Sequence, residues 1–431
     1  MAKNANNKVS IWQSLHNAWK VQDIRKKLIY TFFMLILFRL VGVIPAPGVD
    51  YVRVKSAMSG SNLPLLDLVN MMTGSNFSNM TIMAMGITPY INSSIIMQLL
   101  TIAIPALERL SKSGPDGQKK IASITRYVTV VLAVIQAIGL VYSLGYIKSG
   151  WFNTVLVGVS MAAGTALAMW IGERITANGL GNGVSLLIFA GIISNLFNGF
   201  TSLIANAFSA TSLTPWLTLL AVLLFALVMI VVVTFVDMGV RRIQVQYAKR
   251  VTGRKMYGGQ SSILPLKVCS VGVMPLIFAY SFMAFPSTLI QLLGGSESGL
   301  GLWWSRYMNY YSPLYMIVTA LLIIAFTYFY TSISFQPDEM AKNIQQQGGV
   351  IPHVRPGKPT ADFLARTNNR LTLFAALFLA VLATLPNLFT VGLQTSVPFA
   401  ASSLLIAVSV VLETKRQLDD LLVSRNYDTL T

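Results

Sequence analysis

The chain has 431 residues, of which 54% are hydrophobic and only 11% charged, with a mean hydropathy of +0.63. That composition excludes an ordinary soluble enzyme, where about a quarter of residues are charged, and excludes disorder. One cysteine (Cys269) and two histidines (His16, His353) exclude a disulfide scaffold and a four-ligand zinc site, so a net charge of +17 is the remaining feature to explain.

Residues 1–27 are a charged, amphipathic segment ahead of the first apolar run and do not read as a cleavable signal. A membrane-spanning helix needs about 20 apolar residues. Ten runs come near that length: 28–44, 81–104, 127–146, 152–171, 183–200, 215–236, 268–292, 313–335, 371–391 and 396–412. The fold predicted is an all-α polytopic membrane protein. Arg39 is the one clear charge inside a span, and it is expected to face protein and brace the bundle.

Between the first two runs, LPLLDLVNMMTG (63–74) has apolar residues at helical spacing but is too short to span. It is either a re-entrant plug or a helix lying flat on the outer surface. The segment ANGLGNGVS (177–185) has close glycines but neither a preceding soluble strand nor a phosphate-binding lysine, so it is not a nucleotide loop. The motifs GxxxxGK[ST], HExxH and GxSxG are absent, and no enzymatic activity or cofactor is expected.

Two long hydrophilic loops follow. Residues 237–267 alternate Val, Ile and Tyr with Arg, Gln and Lys, as a two-stranded ribbon would, with Gly253 available for a turn. Residues 336–370 begin like a helix and end in Gly348, Gly349 and a proline-rich bend. They are either folded, projecting elements or ordinary loops carrying topology charge. Residues 413–431 form a polar tail.

Lys and Arg set the orientation. With the N-terminus inside and ten alternating spans, inside segments carry 27 of the 32 basic residues: six before residue 28, five in 105–126, Arg174, seven in 237–267, five in 336–370 and three in the tail. Outside segments carry Arg53, Lys55, Lys148 and Arg306. The charge excess is therefore mostly a topology signal, and both termini are expected in the cytoplasm.

Seven stretches, in order, carry a resemblance: FRLVGVIPAPGVD (38–50), MGITPYINSSIIMQLLT (85–101), GNGVSLLIFAGI (181–192), RRIQVQYAKR (241–250), QSSILPLKVCSVGVMPLIFA (260–279), GGVIPHVRPGKPTADFL (348–364) and VPFAASSLLI (397–406). The chain resembles the SecY family, the central channel subunits of the bacterial Sec protein translocon, along nearly its full length. The resemblance implies ten transmembrane helices in two inverted, pseudo-symmetric halves, 28–200 (spans 1–5) and 201–412 (spans 6–10), with 63–74 as a short plug helix. It implies a pore ring of Ile87, Ile91, Val184, Ile188, Ile277 and Ile406, all aliphatic here, with Val184 often Ile in relatives. It implies a lateral gate between the second and seventh spans, where Gln98 would meet Cys269, which replaces an Asn common in relatives.

The loops 237–267 and 336–370 would dock the motor ATPase SecA and the ribosome through Arg241, Arg242, Lys249, Arg250 and Arg355. His353 stands where relatives usually have Gly. The further partners implied are SecE- and SecG-like small membrane subunits, unfolded preprotein with its signal peptide, and membrane lipid. The location implied is the bacterial plasma membrane. The function implied is a protein-conducting channel powered by its partners, which also releases transmembrane segments sideways into lipid. The alternative from another class is a secondary transporter of a small solute. It is disfavoured by the lack of an intramembrane carboxylate or His pair.

Overall fold

The computed structural model describes residues 19–50, 76, 79–143, 151–209, 214–247, 250–252, 255–257, 261–269, 272, 274–293, 299–308, 312–393 and 401–428. The fold is mostly helical: α1 (Gln22–Val41), α2 (Thr88–Ala103), α3 (Pro105–Lys112), α4 (Pro115–Ser143), α5 (Trp151–Asn178), α6 (Gly183–Ser209), α7 (Thr214–Asp237), α8 (Met274–Leu293), α9 (Gly299–Tyr307), α10 (Pro313–Ser334), α11 (Pro337–Gln346), α12 (Lys358–Leu393) and α13 (Ala401–Asp428). Five strands lie among them: β1 (Val240–Tyr247), β2 (Arg250–Thr252), β3 (Lys255–Tyr257), β4 (Ser261–Lys267) and β5 (Gly349–Val350). Each of the ten apolar runs carries a helix. Six described helices are individually long and apolar enough to cross a membrane, and the α2–α3 pair would make a seventh.

Several helices outrun their apolar stretch. The first begins at Gln22 rather than 28, because Ile24 is buried with Leu180 and Leu418 and so carries the helix into the charged segment. The fourth begins at Pro115, twelve residues before the apolar run, with proline at a first-turn position where its missing N–H costs nothing. α13 continues to Asp428, since its charged residues end the apolar run but include no Gly or Pro to end the helix. α2 instead starts late, at Thr88, because Gly86 takes φ +53 just before it. It ends at Ile104, where the chain turns through 101°. Pro105 causes this: it pushes the preceding residue to extended backbone, and Ile104 sits at φ −107, ψ 112.

The helices group into two compact units. One comprises Met1–Leu219, Ser281–Tyr310 and Ser396–Thr431; the other comprises Leu220–Tyr280 and Tyr311–Thr395. In the first unit α5 is the hub, packing on α1, α4 and α6. Arg126 of α4 pairs with Glu173 of α5 at 2.7 Å on a partly exposed face.

The segment flanking the predicted plug is fixed at its base. Pro45 bridges Thr81, the Ala46 N–H donates to the Met80 carbonyl (3.1 Å), and the Ile82 N–H donates to the Ile44 carbonyl (3.0 Å). Ala46, Met80, Met83 and Ala84 are all buried there. The candidate plug itself, 63–74, lies outside the described residues. Gly164 of α5 passes so close to this base that a Cβ would stand 2.1 Å from the Ile82 carbonyl oxygen. Backbone cannot swing aside as a side chain can, so Gly164→Val should cost about 1–3 kcal/mol or more. Its thermal unfolding midpoint in detergent should fall well below wild type. Gly299→Ala, where nothing lies within 4 Å, should leave the midpoint unchanged.

In the second unit the two hydrophilic loops fold into one body. β1 pairs antiparallel with β4, from Val240↔Lys267 to Gln246↔Ser261, and on its other edge with β5 through Gln246↔Val350 and Tyr247↔Gly349. α11 and the first turns of α12 cover this three-stranded sheet. Ile243, Val245, Leu266, Ile344, Ile351 and Leu364 form its buried core. The predicted ribbon in 237–267 and the helix opening 336–370 are both present. β2 and β3 add a small hairpin whose connection, with Gly253, lies outside the described residues.

Candidate functional site

Four of the six candidate ring residues sit at the starts of two helices. Ile87 caps α2 and Ile91 follows one turn later; Val184 lies in the first turn of α6 and Ile188 one turn on. An i, i+4 spacing places each pair on one helix face. Ile87, Ile91 and Ile188 are buried, and Val184 is half-buried. Ile406 is buried on α13, which packs on α6. Ile277 is buried in the first turn of α8 and belongs to the second unit.

The entry to α6 shows what the close glycines are for. The Asn182 side-chain oxygen accepts from the Val184 and Ser185 N–H groups (3.1 and 3.3 Å), satisfying two donors that a helix start leaves open. The Gly183 N–H donates to the Thr176 hydroxyl (2.9 Å), and the Leu180 N–H donates to the Thr31 hydroxyl of α1 (2.9 Å). A Cβ on Gly183 would stand 1.9 Å from the Gly172 carbonyl oxygen. The spacing thus lets one helix turn back tightly on another, and it holds Val184 and Ile188 in place. Arg39 adds a third brace by donating to the Ala190 carbonyl of α6, the structural role expected of it.

Of the two candidate gate residues, Gln98 is half-buried on α2, in the first unit, and its Oε1 has no hydrogen-bond partner among the described residues. Cys269 is buried in the second unit, ahead of the start of α8 at Met274. Its exposure is only 9%, and a maleimide must reach the sulfur to attack it, so Cys269 of the native protein should react at about pH 7.5 on the order of a hundredfold slower than an exposed thiol. Labelling by mass spectrometry before and after unfolding in SDS checks this.

The candidate docking residues share the sheet-and-helix body. Arg241 and Arg242 open β1 and are exposed, as is Arg355 on the turn after β5. Arg250 begins β2, paired with Tyr257, and Lys249 lies outside the described residues. Arg241, Arg242 and Arg355 make no ion pair among the described residues. The turn that presents Arg355 is well fixed. The Val354 N–H donates to the Ile351 carbonyl (3.1 Å), and the Thr360 hydroxyl donates to the Arg355 carbonyl (2.8 Å). His353 takes φ +65 there, with Pro352 before it. Proline followed by a left-handed residue is the pattern of a type II turn, which is why a glycine suits that position. Histidine adopts it at a cost of about 1 kcal/mol.

Sequence reasoning missed that the two loops share one core, and with it the position of Arg370 near Arg241 and Arg242; nearly 130 residues separate them and no local pattern joins them. Among the described residues, no three His, Cys, Asp or Glu side chains come together that could hold a metal ion.

Comparison with known proteins gives a consistent picture. A family model described as SecY matches residues 81–415. The chain is 41% identical to the protein translocase subunit SecY of Streptomyces scabiei, over 95% of this chain and 98% of that protein. It is 40% identical to the same-named subunit of Mycobacterium tuberculosis, over 94% and 96% of the two chains. Among solved structures it resembles a protein-conducting channel, with TM-score 0.69, 20% identity and 91% of each chain covered. It also resembles Sec61 from a canine ribosome-channel complex of the endoplasmic reticulum, with TM-score 0.63, 18% identity and 91% of each chain covered. At those identities the structural likenesses speak for the fold alone.

Proposed function

The chain belongs to the SecY family, and we propose that it is a protein-conducting channel of a bacterial plasma membrane. Its substrate is an unfolded, signal-bearing polypeptide, and its apolar client segments leave sideways into lipid. The observation that carries this reading is the bracing of α6, where Thr31, Arg39 and Asn182 fix the helix that presents Val184 and Ile188. A pore lining that must reseal around any passing chain needs a rigid backbone and compliant, non-hydrogen-bonding side chains. Aliphatic residues meet that need because they exclude water without choosing a partner. No observation favours the small-solute transporter.

In this reading Ile87, Ile91, Val184, Ile188, Ile277 and Ile406 form the constriction, with 63–74 as the plug. The strapped base at 44–46 and 80–82 supports a plug that moves without unravelling its anchors. The halves are 28–200 and 201–412, and the lateral gate lies between the second and seventh spans, with Gln98 and Cys269 on its two sides. The exposed arginines of the cytoplasmic body meet acidic surfaces of a SecA-type motor or ribosomal RNA phosphates, and SecE- and SecG-like subunits complete the channel. The chain itself is not an enzyme and needs no cofactor; its partners supply the energy. The test is SecA-driven transport of a preprotein into vesicles carrying this chain with its small subunits. No protected preprotein in that assay would sink the channel reading.

Topology follows from the 27-to-4 split of basic residues. Because Cys269 is buried, single cysteines can be added without removing it. Cysteines at Ser75 and Ser298 should react with an impermeant thiol reagent applied outside, and cysteines at Ser113, Thr252 and Gln346 should not. Outside labelling at position 252 would refute ten spans with inside termini.

A further inference from the structure

The helix of the polar tail is packed into the first unit. α13 leaves its apolar run at residue 412 and continues as helix through Glu413, Lys415 and Arg416. Six residues past the run, about 9 Å by the 1.5 Å helical rise, Leu418 is only 4% exposed. It forms a small core with Ile24 of α1 and Leu180 of the turn 179–182 that joins α5 to α6, and Leu421 and Leu422 pack alongside. One helical turn before Leu418, Thr414 lies against the same connection: a Cβ on Gly181 would stand 3.2 Å from its hydroxyl oxygen.

The place of this core decides what it is worth. Between spans in lipid, an apolar contact gains nothing over contact with acyl chains. Beside the charged ends of the helices, where water reaches, the same contact is driven by the hydrophobic effect. The turn it grips leads directly into α6, and Leu180 precedes Val184 by four residues. The turn is held from two sides. On one, the Leu180 N–H donates to the Thr31 hydroxyl of α1; on the other, Thr414 and Leu418 of α13 pack against it. α13 also carries Ile406 and packs along α6. One helix therefore bears a residue of the proposed ring and holds the start of the helix that bears two more.

We propose that Leu418, with Thr414 beside it, is a positioning residue for the constriction. The cytoplasmic extension of α13 is a strut that holds the start of α6, and with it Val184 and Ile188, in the sealed position. The inference rests on the channel reading and deepens it, giving the tail a part in the resting seal that needs no partner.

The test is basal ion conductance across planar bilayers, with the full chain and its small subunits but no motor, ribosome or preprotein. Leu418→Ala should raise the leak on the order of tenfold, which is about 1.4 kcal/mol of preference for the sealed state. Leu418→Met keeps the volume of the side chain and should stay near wild type. Leu418→Val is a smaller cut and should still leak several-fold, which keeps the test open if the alanine variant does not insert. Asp420→Ala changes an exposed residue of the same helix and should stay tight. To separate the ring from general loosening, Leu418→Ala is also measured together with Ile188→Ser. A strut that acts through the ring adds little to a ring already breached, so the double variant should fall well short of the product of the two single effects. Effects that multiply in full would overturn the proposal, as would an Asp420→Ala leak equal to that of Leu418→Ala. So would tight channels from both Leu418→Ala and Leu418→Val. Normal transport by wild type with those variants tight refutes this inference alone; a leak from Leu418→Ala in a chain that transports no preprotein refutes the channel reading alone.

Discussion

Arg355→Glu is expected to reduce motor-driven transport at least tenfold while leaving the protein inserted and folded. The side chain is exposed and has no ion pair among the described residues, so the fold does not depend on its charge. Its backbone does matter: the Thr360 hydroxyl and the turn through Pro352 and His353 hold it in one direction. A cation presented from a fixed turn meets a partner at a defined point, where one on a mobile loop would add only to the general field. Close charge pairs across protein interfaces couple by about 1.5–7 kcal/mol, and reversal turns that attraction into repulsion. The loss should be partly relieved at higher salt, because exposed charges are screened over about 10 Å at 0.1 M. Stability should move by no more than about 0.5 kcal/mol, as for other surface substitutions. The measurements are preprotein protected inside vesicles per minute and the thermal midpoint of the purified variant. Wild-type transport by the reversed-charge protein would leave Arg355 as topology charge only.

The same region shows what was legible in the sequence and what was not. The alternation in RRIQVQY gave the strand β1, because a half-buried strand must alternate, and Ile243 and Val245 are its buried residues. The helix after Pro337 and the glycine turn after Gln346 were equally local signals. Their joining was not legible. Ile243 meets Ile344 and Leu364 only because α7, α10 and α12 return the chain to one place, and nothing near Ile243 encodes that. Helix ends failed for a different reason. Hydropathy reports where a helix enters lipid, whereas caps, prolines and packing report where it stops. Ile24, Pro115 and the uninterrupted α13 each carried a helix well past the apolar run. At the candidate site the glycines of ANGLGNG say, from the sequence alone, only what the segment is not. The acceptor that makes Gly183 necessary is the Gly172 carbonyl, on the preceding helix, and its closeness is a tertiary fact. His353 was visible as a departure from its family, and its φ of +65 supplies the reason a glycine is usual there.

The second large effect is expected at the constriction. Ile91→Ser and Ile188→Ser, singly, should make the channel leak ions in the absence of any substrate, on the order of tenfold or more above wild type. Both side chains are buried, and α2 packs along α4 while the Asn182 cap holds the start of α6. An aliphatic ring blocks ions because water inside it is unstable, and an ion will not enter without its water. Replacing Ile by Ser removes about three carbons, each worth about 0.8 kcal/mol of apolar surface, and adds a hydroxyl that stabilises water in the gap. The change should not unfold the helix. A serine in a membrane helix can return its hydrogen bond to the carbonyl four residues back, as Ser93 already does to Pro89 at 2.8 Å on the same α2. The opposite substitution supplies the control of sign. Val184→Ile adds one methylene at a half-buried position and should lower the basal leak, or leave it unchanged if the ring is already closed. Conductance across planar bilayers without motor, ribosome or preprotein reads all three variants. If both serine variants stay as tight as wild type, Ile91 and Ile188 are packing residues and the barrier to ions lies elsewhere in the chain.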